Sequence, residues 1–429
     1  MRLLGRDALV IPFLSLVAAS LAFGQSRADL SKLVVVGDSL SGGVQNFSLL
    51  DTQQPHGYAS IIADKAKVSL TLPLVPSPGA PNVLQLTSLN PLTIAPVGGS
   101  LPAIPRDNPC AQPTNLSVPG ITVEQALSLT PTSTPTSAVE GWLNIVLGFP
   151  NPFSVAFPSL GCNVTPVPPQ TMIQQAVALE PTTIIEYLGN NDALVPALTG
   201  ALTTLTPLNT FASSYDSVLD QLAQTHATII TATIPDVTKV PYFTPVSAIA
   251  AQANLPTAIV AAKLGIGPND LLRLSATPLA AAILSGHMHG PLPGACPSPI
   301  PGLVPAGQQL PCVLRYADAL FLQLTIDAYN VIIFAESIAH GATVVDIHGL
   351  VNQIAQNGYK ADGKLLTTAF LGGLFSLDGV HPSDTGYAII ANEFITVMNN
   401  ALNTKIPQAS VNSIAAHDPL VPPIKVPAP

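Results

Sequence analysis

Residues 33–43 read LVVVGDSLSGG, an unbroken aliphatic run that ends in a serine set among small residues. Branched aliphatics in so short a run suit a parallel strand covered on both faces, so residues 33–36 are expected to form a buried β-strand. Gly37 permits a sharp exit from it. Ser39 then stands at the carboxyl end of the first strand, where open α/β sheets place their ligands. One serine does not distinguish a reactive hydroxyl from a helix cap. Its meaning depends on partners elsewhere in the chain.

The far end of the chain offers a pair. In SLDGVHPSDTGY (376–387), Asp378 and His381 are spaced so that a carboxylate on a turn can hold one imidazole nitrogen while the other reaches a hydroxyl. The order Ser, Asp, His is that of α/β-hydrolases, whose nucleophile lies in a GxSxG elbow. Here the string is GDSLS, directly after the first strand, and the elbow is not matched. His348, two residues past Asp346 near another expected strand end, is the rival base.

Two more strings complete a pattern: NLSVPG (115–120), ending in Gly120, and GNND (189–192), containing Asn191. In chain order, Gly37-Asp38-Ser39-Leu40, Gly120, Asn191 and the Asp378/His381 pair resemble the four blocks of the GDSL or SGNH hydrolases, which contribute Ser, Gly, Asn and His. The resemblance spans essentially the whole chain after residue 24. It departs in spacing, because long segments separate the first block from the second and the third from the last. It implies a three-layer αβα fold, a flavodoxin-like, doubly wound parallel sheet of about five strands, here with long Pro-rich insertions. It implies acyl transfer to water, with Ser39 attacking an ester carbonyl, His381 as base and then acid, and Asp378 fixing the His381 tautomer. The implied oxyanion hole is the backbone N–H of Ser39 and of Gly120 with the side-chain amide of Asn191. Ester hydrolysis of this kind requires no cofactor and no metal. Asp38 reads as a turn or cap residue, and Asp192 as one that orients the loop around Asn191.

Composition narrows the class. A chain of 429 residues, 48% hydrophobic, can hold one large α/β domain with insertions or two domains, and one is favoured. Only 9% of residues are charged while 44 are proline, which points to long irregular loops rather than to disorder driven by charge. A net charge of −9 with no Lys or Arg run argues against a nucleic-acid partner, whose phosphates need neutralising. Arg2 and Arg6, the apolar run 8–23 and small residues Ala22 and Gly24 resemble a secretory signal peptide over 1–24. An uncleaved membrane anchor is the alternative, disfavoured by the short apolar run and its small-residue exit. Export, to the periplasm or outside the cell, suits the even set of four cysteines. Of three pairings, Cys110 with Cys162 and Cys296 with Cys312 is preferred, because each pair brackets a Pro-rich segment. His287 and His289, in GHMHG, lack a completing ligand set for a metal. His56, His226, His340 and His417 read as structural or solvated.

The hydrolase domain is expected over 25–405, with insertions near 73–113, 131–169 and 235–311. Helices are expected over 57–67, 121–129, 170–179, 209–226, 315–339 and 383–403, and strands over 68–72, 182–188, 227–234 and 342–347. Asp318, Gln323, Asp327 and Glu336 exclude a membrane span in the longest helix. The insertion 131–169 carries the sole Trp142 with Phe149, Phe153 and Phe157, as a substrate wall or as a small satellite core. The Pro-rich tail 406–429 is expected to pack loosely or to be disordered. Sequons occur at Asn46, Asn115 and Asn163, and a glycan at Asn115 would crowd the expected site.

These readings converge on a secreted serine carboxylic-ester hydrolase, esterase or lipase-like, acting on a small-molecule or lipid ester with transient contact to a membrane or lipid surface. The alternatives are a polysaccharide O-deacetylase of the same fold, which the scarcity of loop Trp disfavours, and a non-catalytic secreted binding protein on this scaffold. Oligomeric state is open.

Overall fold

In the computed structural model, the described residues are 27–90, 92–148, 162, 168–300, 303–305 and 307–424. The expected leader at 1–24, the aromatics Phe149, Phe153 and Phe157, and the sequon at Asn163 lie outside them.

Strand β1 (Leu33–Gly37) is buried along its whole length. It pairs in parallel with β2 (Thr183–Tyr187), Leu33 opposite Thr183 and Gly37 opposite Tyr187. β2 pairs in parallel with β3 (Thr228–Ala232), and β3 with β4 (Thr343–Val345), giving a four-stranded parallel sheet in the order β1-β2-β3-β4. Residues 114–118 run along the free side of β1. The N–H groups of Leu116 and Val118 donate to the carbonyls of Val35 and Gly37, at 2.8 and 3.0 Å. The strand expected at 68–72 does not form, and residues 114–118 take the place beside β1 instead. Position next to a central strand requires burial on both faces. Leu116, Ser117 and Val118 meet that requirement, whereas 68–72 is partly exposed and reaches 114–115 through Thr71 alone, whose O accepts from Thr114 and Asn115 N–H and whose N–H donates to Thr114 Oγ1.

Alternating residues of the strands serve two cores, as a side-chain period of two dictates. Val34, Val36, Ile184 and Ile229 face helices α3 (Val123–Ser128), α4 (Ala138–Leu147), α5 (Met172–Ala178), α7 (Leu208–Ala223) and α8 (Tyr316–Ala339). Leu33, Val35, Ile185, Ile230 and Val345 face α2 (Tyr58–Ala66) and α9 (Asp384–Ala401). Between these fall the short α1 (Ser39–Gly42), after β1, and α6 (Asn190–Thr199), after β2. The sheet is therefore the middle layer of a doubly wound αβα sandwich. α3 and α5 each start on a capping box, Thr122 with Gln125 and Thr171 with Gln174. α8 is long and apolar enough to cross a membrane by length and composition, yet Leu322, Ile326, Tyr329 and Ile333 are buried in the main core.

The insertions are built rather than loose. The first holds an antiparallel hairpin, Leu84–Leu89 with Leu92–Pro96. The third holds three short helices and a three-stranded antiparallel sheet around its own core, which includes Val246, Val260, Leu272 and the Cys296–Cys312 disulfide. Cys110 and Cys162 form the other disulfide. Trp142, on α4, packs against the main core. The tail also departs from expectation: α10 (Val411–Ala415) and residues 406–421 pack back on α9, burying Ile406, Val411, Ala415 and Val421. Asn392 and Asn399 on α9 each bond tail backbone on both sides of their amide, at 2.8–3.0 Å. Those polar clamps leave no hydrophobic period to read.

Candidate active site

The chain leaves β1 at Gly37, and Asp38 caps α1, one carboxylate oxygen accepting the Leu40 N–H at 3.0 Å. Ser39 is the first residue of that helix and is 7% exposed. At the end of β2, Gly189 turns the chain with φ 104°, and a side chain there would run into Ile234 and Phe211. That tight turn starts α6, so Asn190, Asn191 and Asp192 form its first turn. Asn190 Nδ2 donates to the second oxygen of Asp38 at 2.9 Å, tying the residue before Ser39 to the residue before Asn191.

Gly120, at φ 79°, closes the turn after residues 114–118. Its neighbour Ile121 accepts a 3.0 Å hydrogen bond from Asn191 Nδ2, and Asp192 accepts from Val123 N–H and Thr206 Oγ1. Apart from the Thr206 bond, each of these joins the carboxyl end of β1, β2 or the flanking segment to the next. Together they gather Ser39, Gly120 and Asn191 at the switch point of the sheet, where strand order reverses. Among the described residues no protein acceptor takes the backbone N–H of Ser39 or Gly120. Among the described residues, Ile121 O is the one protein acceptor for Asn191 Nδ2.

The last block supplies Asp378 and His381. Asp378 is fully buried and receives four N–H groups: Val380 N at 2.7 Å and His381 N at 2.8 Å on one oxygen, Phe47 N at 2.6 Å and His381 Nδ1 at 2.8 Å on the other. The Phe47 bond ties this turn to the segment that follows α1, and Asn46 Oδ1 accepts the Leu377 N–H at 2.9 Å. Burial pushes the Asp378 carboxyl up, but the His381 charge and the N–H donors outweigh it and hold it below the usual carboxylate range. An ionised Asp378 fixes the proton of His381 on Nδ1 and leaves Nε2 as the acceptor. The His381 charge also acts on Asp38, next to Ser39. Burial raises Asp38 to about 6, opposed by Asn190, Leu40 N–H and His381.

The sequence assigned no supporting role to three residues that the structure gives one. Asn190 holds Asp38, and its only signal was the Asn-Asn doublet. Glu186, buried in β2, accepts Leu188 N–H at 2.9 Å and Tyr215 Oη at 2.7 Å, and burial raises its carboxyl to about 7. A carboxylate inside TIIEY (183–187), a strand buried on both faces, was the available clue. Asn115 Nδ2 donates to Ser41 O at 2.8 Å inside the core, so this sequon offers no accessible amide.

His348 lies past β4, two strands beyond β2, with Nδ1 3.0 Å from Ile234 O and Nε2 3.6 Å from Asp327, and the structure does not bring it to Ser39. His287 pairs with Ser285 at 2.8 Å. Among the described residues, the group with ligand atoms close enough to share a metal is Asp216, Glu336 and His340, within 4.8 Å of one another on α7 and the end of α8. His340, for which the sequence names no partner, is 3.1 Å from Asp220.

A cleft of about 1350 Å³ opens beside the Asp378 turn. Pro241 and Phe243 line it, and Tyr242 between them donates its N–H to Gly379 O at 2.8 Å. Leu371 lines it too and packs in one cluster with Phe47 and Leu377.

The chain resembles, at 14% identity and a TM-score of 0.37, the crystal structure of an alpha/beta hydrolase enzyme from the metagenome of Lake Arreo, Spain, covering 88% of this chain and 98% of that one. No protein with a curated description matches it. The family model of the GDSL-like Lipase/Acylhydrolase family matches residues 33–394, from β1 into α9 and so across all four blocks. This hydrolase belongs to the GDSL-like Lipase/Acylhydrolase family.

Proposed function

We propose that this hydrolase is a secreted carboxylic-ester hydrolase of the esterase or lipase type, with Ser39 as nucleophile. The observation that carries the reading is the buried Asp378–His381 hydrogen bond of 2.8 Å, which commits Nδ1 and frees Nε2 beside the edge that holds Ser39. Ser39 Oγ attacks the ester carbonyl as His381 Nε2 takes its proton. The oxyanion is met by the N–H groups of Ser39 and Gly120 and by Asn191 Nδ2. Collapse of the tetrahedral intermediate expels the alcohol, which leaves with the proton from His381. Water then attacks the acyl-serine with His381 again as base, and the acid leaves.

The apolar part of the ester lies in the cleft lined by Pro241, Phe243 and Leu371, which supports a preference for longer acyl chains. Two disulfides support export to an oxidising compartment. Mass analysis of the exported chain tests that part, with Gln25 expected as its first residue. The chemistry is tested with p-nitrophenyl esters from acetate to palmitate. Wild type is expected to hydrolyse them with an optimum beyond acetate, and Ser39→Ala to be inactive. Equal rates in the two folded proteins would remove Ser39 from the reaction.

A further inference from the structure

Helix α8 carries a feature that hydrolysis does not use. Among the described residues thirteen large hydrophobic side chains are exposed, and seven of them belong to this one helix. They range from 42% exposure at Leu320 to 69% at Val331. Such side chains, about half open, present on the order of 800 Å² of surface, the size of one side of a standard protein interface. Monomers rarely leave an apolar patch that large in water.

The pattern says what covers it. Counting from Ala317, the outward residues follow steps of four and three through Phe321, Leu324, Ala328, Val331 and Ala335 to Ile338, the spacing of a helix–helix seam. No charge interrupts that line, and small residues are interspersed among the large ones. Two copies laid antiparallel about a twofold axis near residues 328–331 set Ala328 against Val331, Ala335 against Leu324 and Phe321 against Ile338. Small thus meets large in two of the three layers, which a face must do to complement itself across a twofold axis. A lipid surface fits less well. Helices that lie on membranes carry Lys or Arg along their polar flank, whereas α8 has neither and its charged residues are Asp318, Asp327 and Glu336. We propose that two copies of this chain pair through the exposed face of α8, forming a twofold-symmetric dimer.

The test does not depend on activity: analytical ultracentrifugation of the full chain, wild type against Leu324→Asp and Val331→Asp, with circular dichroism to verify folding. The expected result is a dimer at micromolar concentration whose dissociation constant rises roughly 100-fold or more in each variant. Both native disulfides leave no free cysteine, so an introduced one reports contact without disturbing the fold. An oxidised mixture of Ala328→Cys and Val331→Cys chains is expected to give a covalent dimer joining the two variants, and Gln224→Cys, at the exposed end of α7, only monomer. A wild-type chain that stays monomeric, or a dimer indifferent to both aspartates and to oxidation of the Ala328→Cys and Val331→Cys mixture, would overturn the proposal. So would a monomer that floats with phosphatidylcholine vesicles and ceases to do so in Leu324→Asp, which would assign the face to lipid.

Discussion

Replacing Asp378 by Asn removes a charge and one acceptor while keeping the shape of the side chain. The amide oxygen can still take the N–H groups of Val380 and His381. The NH2 group then sits where the other oxygen met Phe47 N–H at 2.6 Å and His381 Nδ1 at 2.8 Å. Two consequences follow, and they are separable. Phe47 N–H is left without an acceptor in a buried turn, which costs about 1–3 kcal/mol of stability. The imidazole regains a hydrogen bond only by turning Nδ1 into the acceptor, which moves its proton to Nε2 and leaves no base facing Ser39. In a serine-protease triad the same exchange lowers kcat about 10⁴-fold, and a loss of about 10³–10⁴-fold is expected here, or about 4–5 kcal/mol of barrier. KM should change little, because Asp378 is fully buried and does not touch substrate. The assay is steady-state hydrolysis of p-nitrophenyl butyrate alongside the Tm of each protein. An Asp378→Asn enzyme that keeps a tenth or more of the wild-type kcat would refute the assignment of His381 as base.

Asn191→Ala should lose about 10²-fold in kcat, near 3 kcal/mol for one oxyanion donor, read in the same ester assay. An unchanged kcat would mean that the amide serves only its bond to Ile121. Glu186→Gln tests the buried carboxyl of β2 through stability. Its folded pKa, about 7 because of burial, lies above the unfolded value, so the folded state holds the proton longer and stability falls as pH rises from about 4 through 7. Gln removes that cost, and the Tm of the variant should therefore drop less than that of wild type between pH 5 and pH 8. Parallel curves by differential scanning calorimetry would mean that Glu186 titrates normally.

Residues 33–36 announced the central strand because burial on both faces demands an unbroken aliphatic run, and β2 and β3 were legible for the same reason. The amphipathic period of α7 was equally plain. The partner of β1 was not, since 68–72 and 114–118 are equally short and only the packed chain reveals which is covered on both sides. The tail was misread because Asn392 and Asn399 anchor it through backbone bonds, which leave no mark in a hydrophobic pattern. Asn191 stood out in its block while the residue beside it, which secures Asp38, did not. A bond spanning 152 positions has no local signature.

Reaction of the folded protein with a fluorophosphonate, followed by peptide mass spectrometry, asks directly whether Ser39 is an activated nucleophile. A single adduct on Ser39, much slowed in His381→Ala, is the expected result. An active preparation that labels at another serine, or not at all, would contradict it.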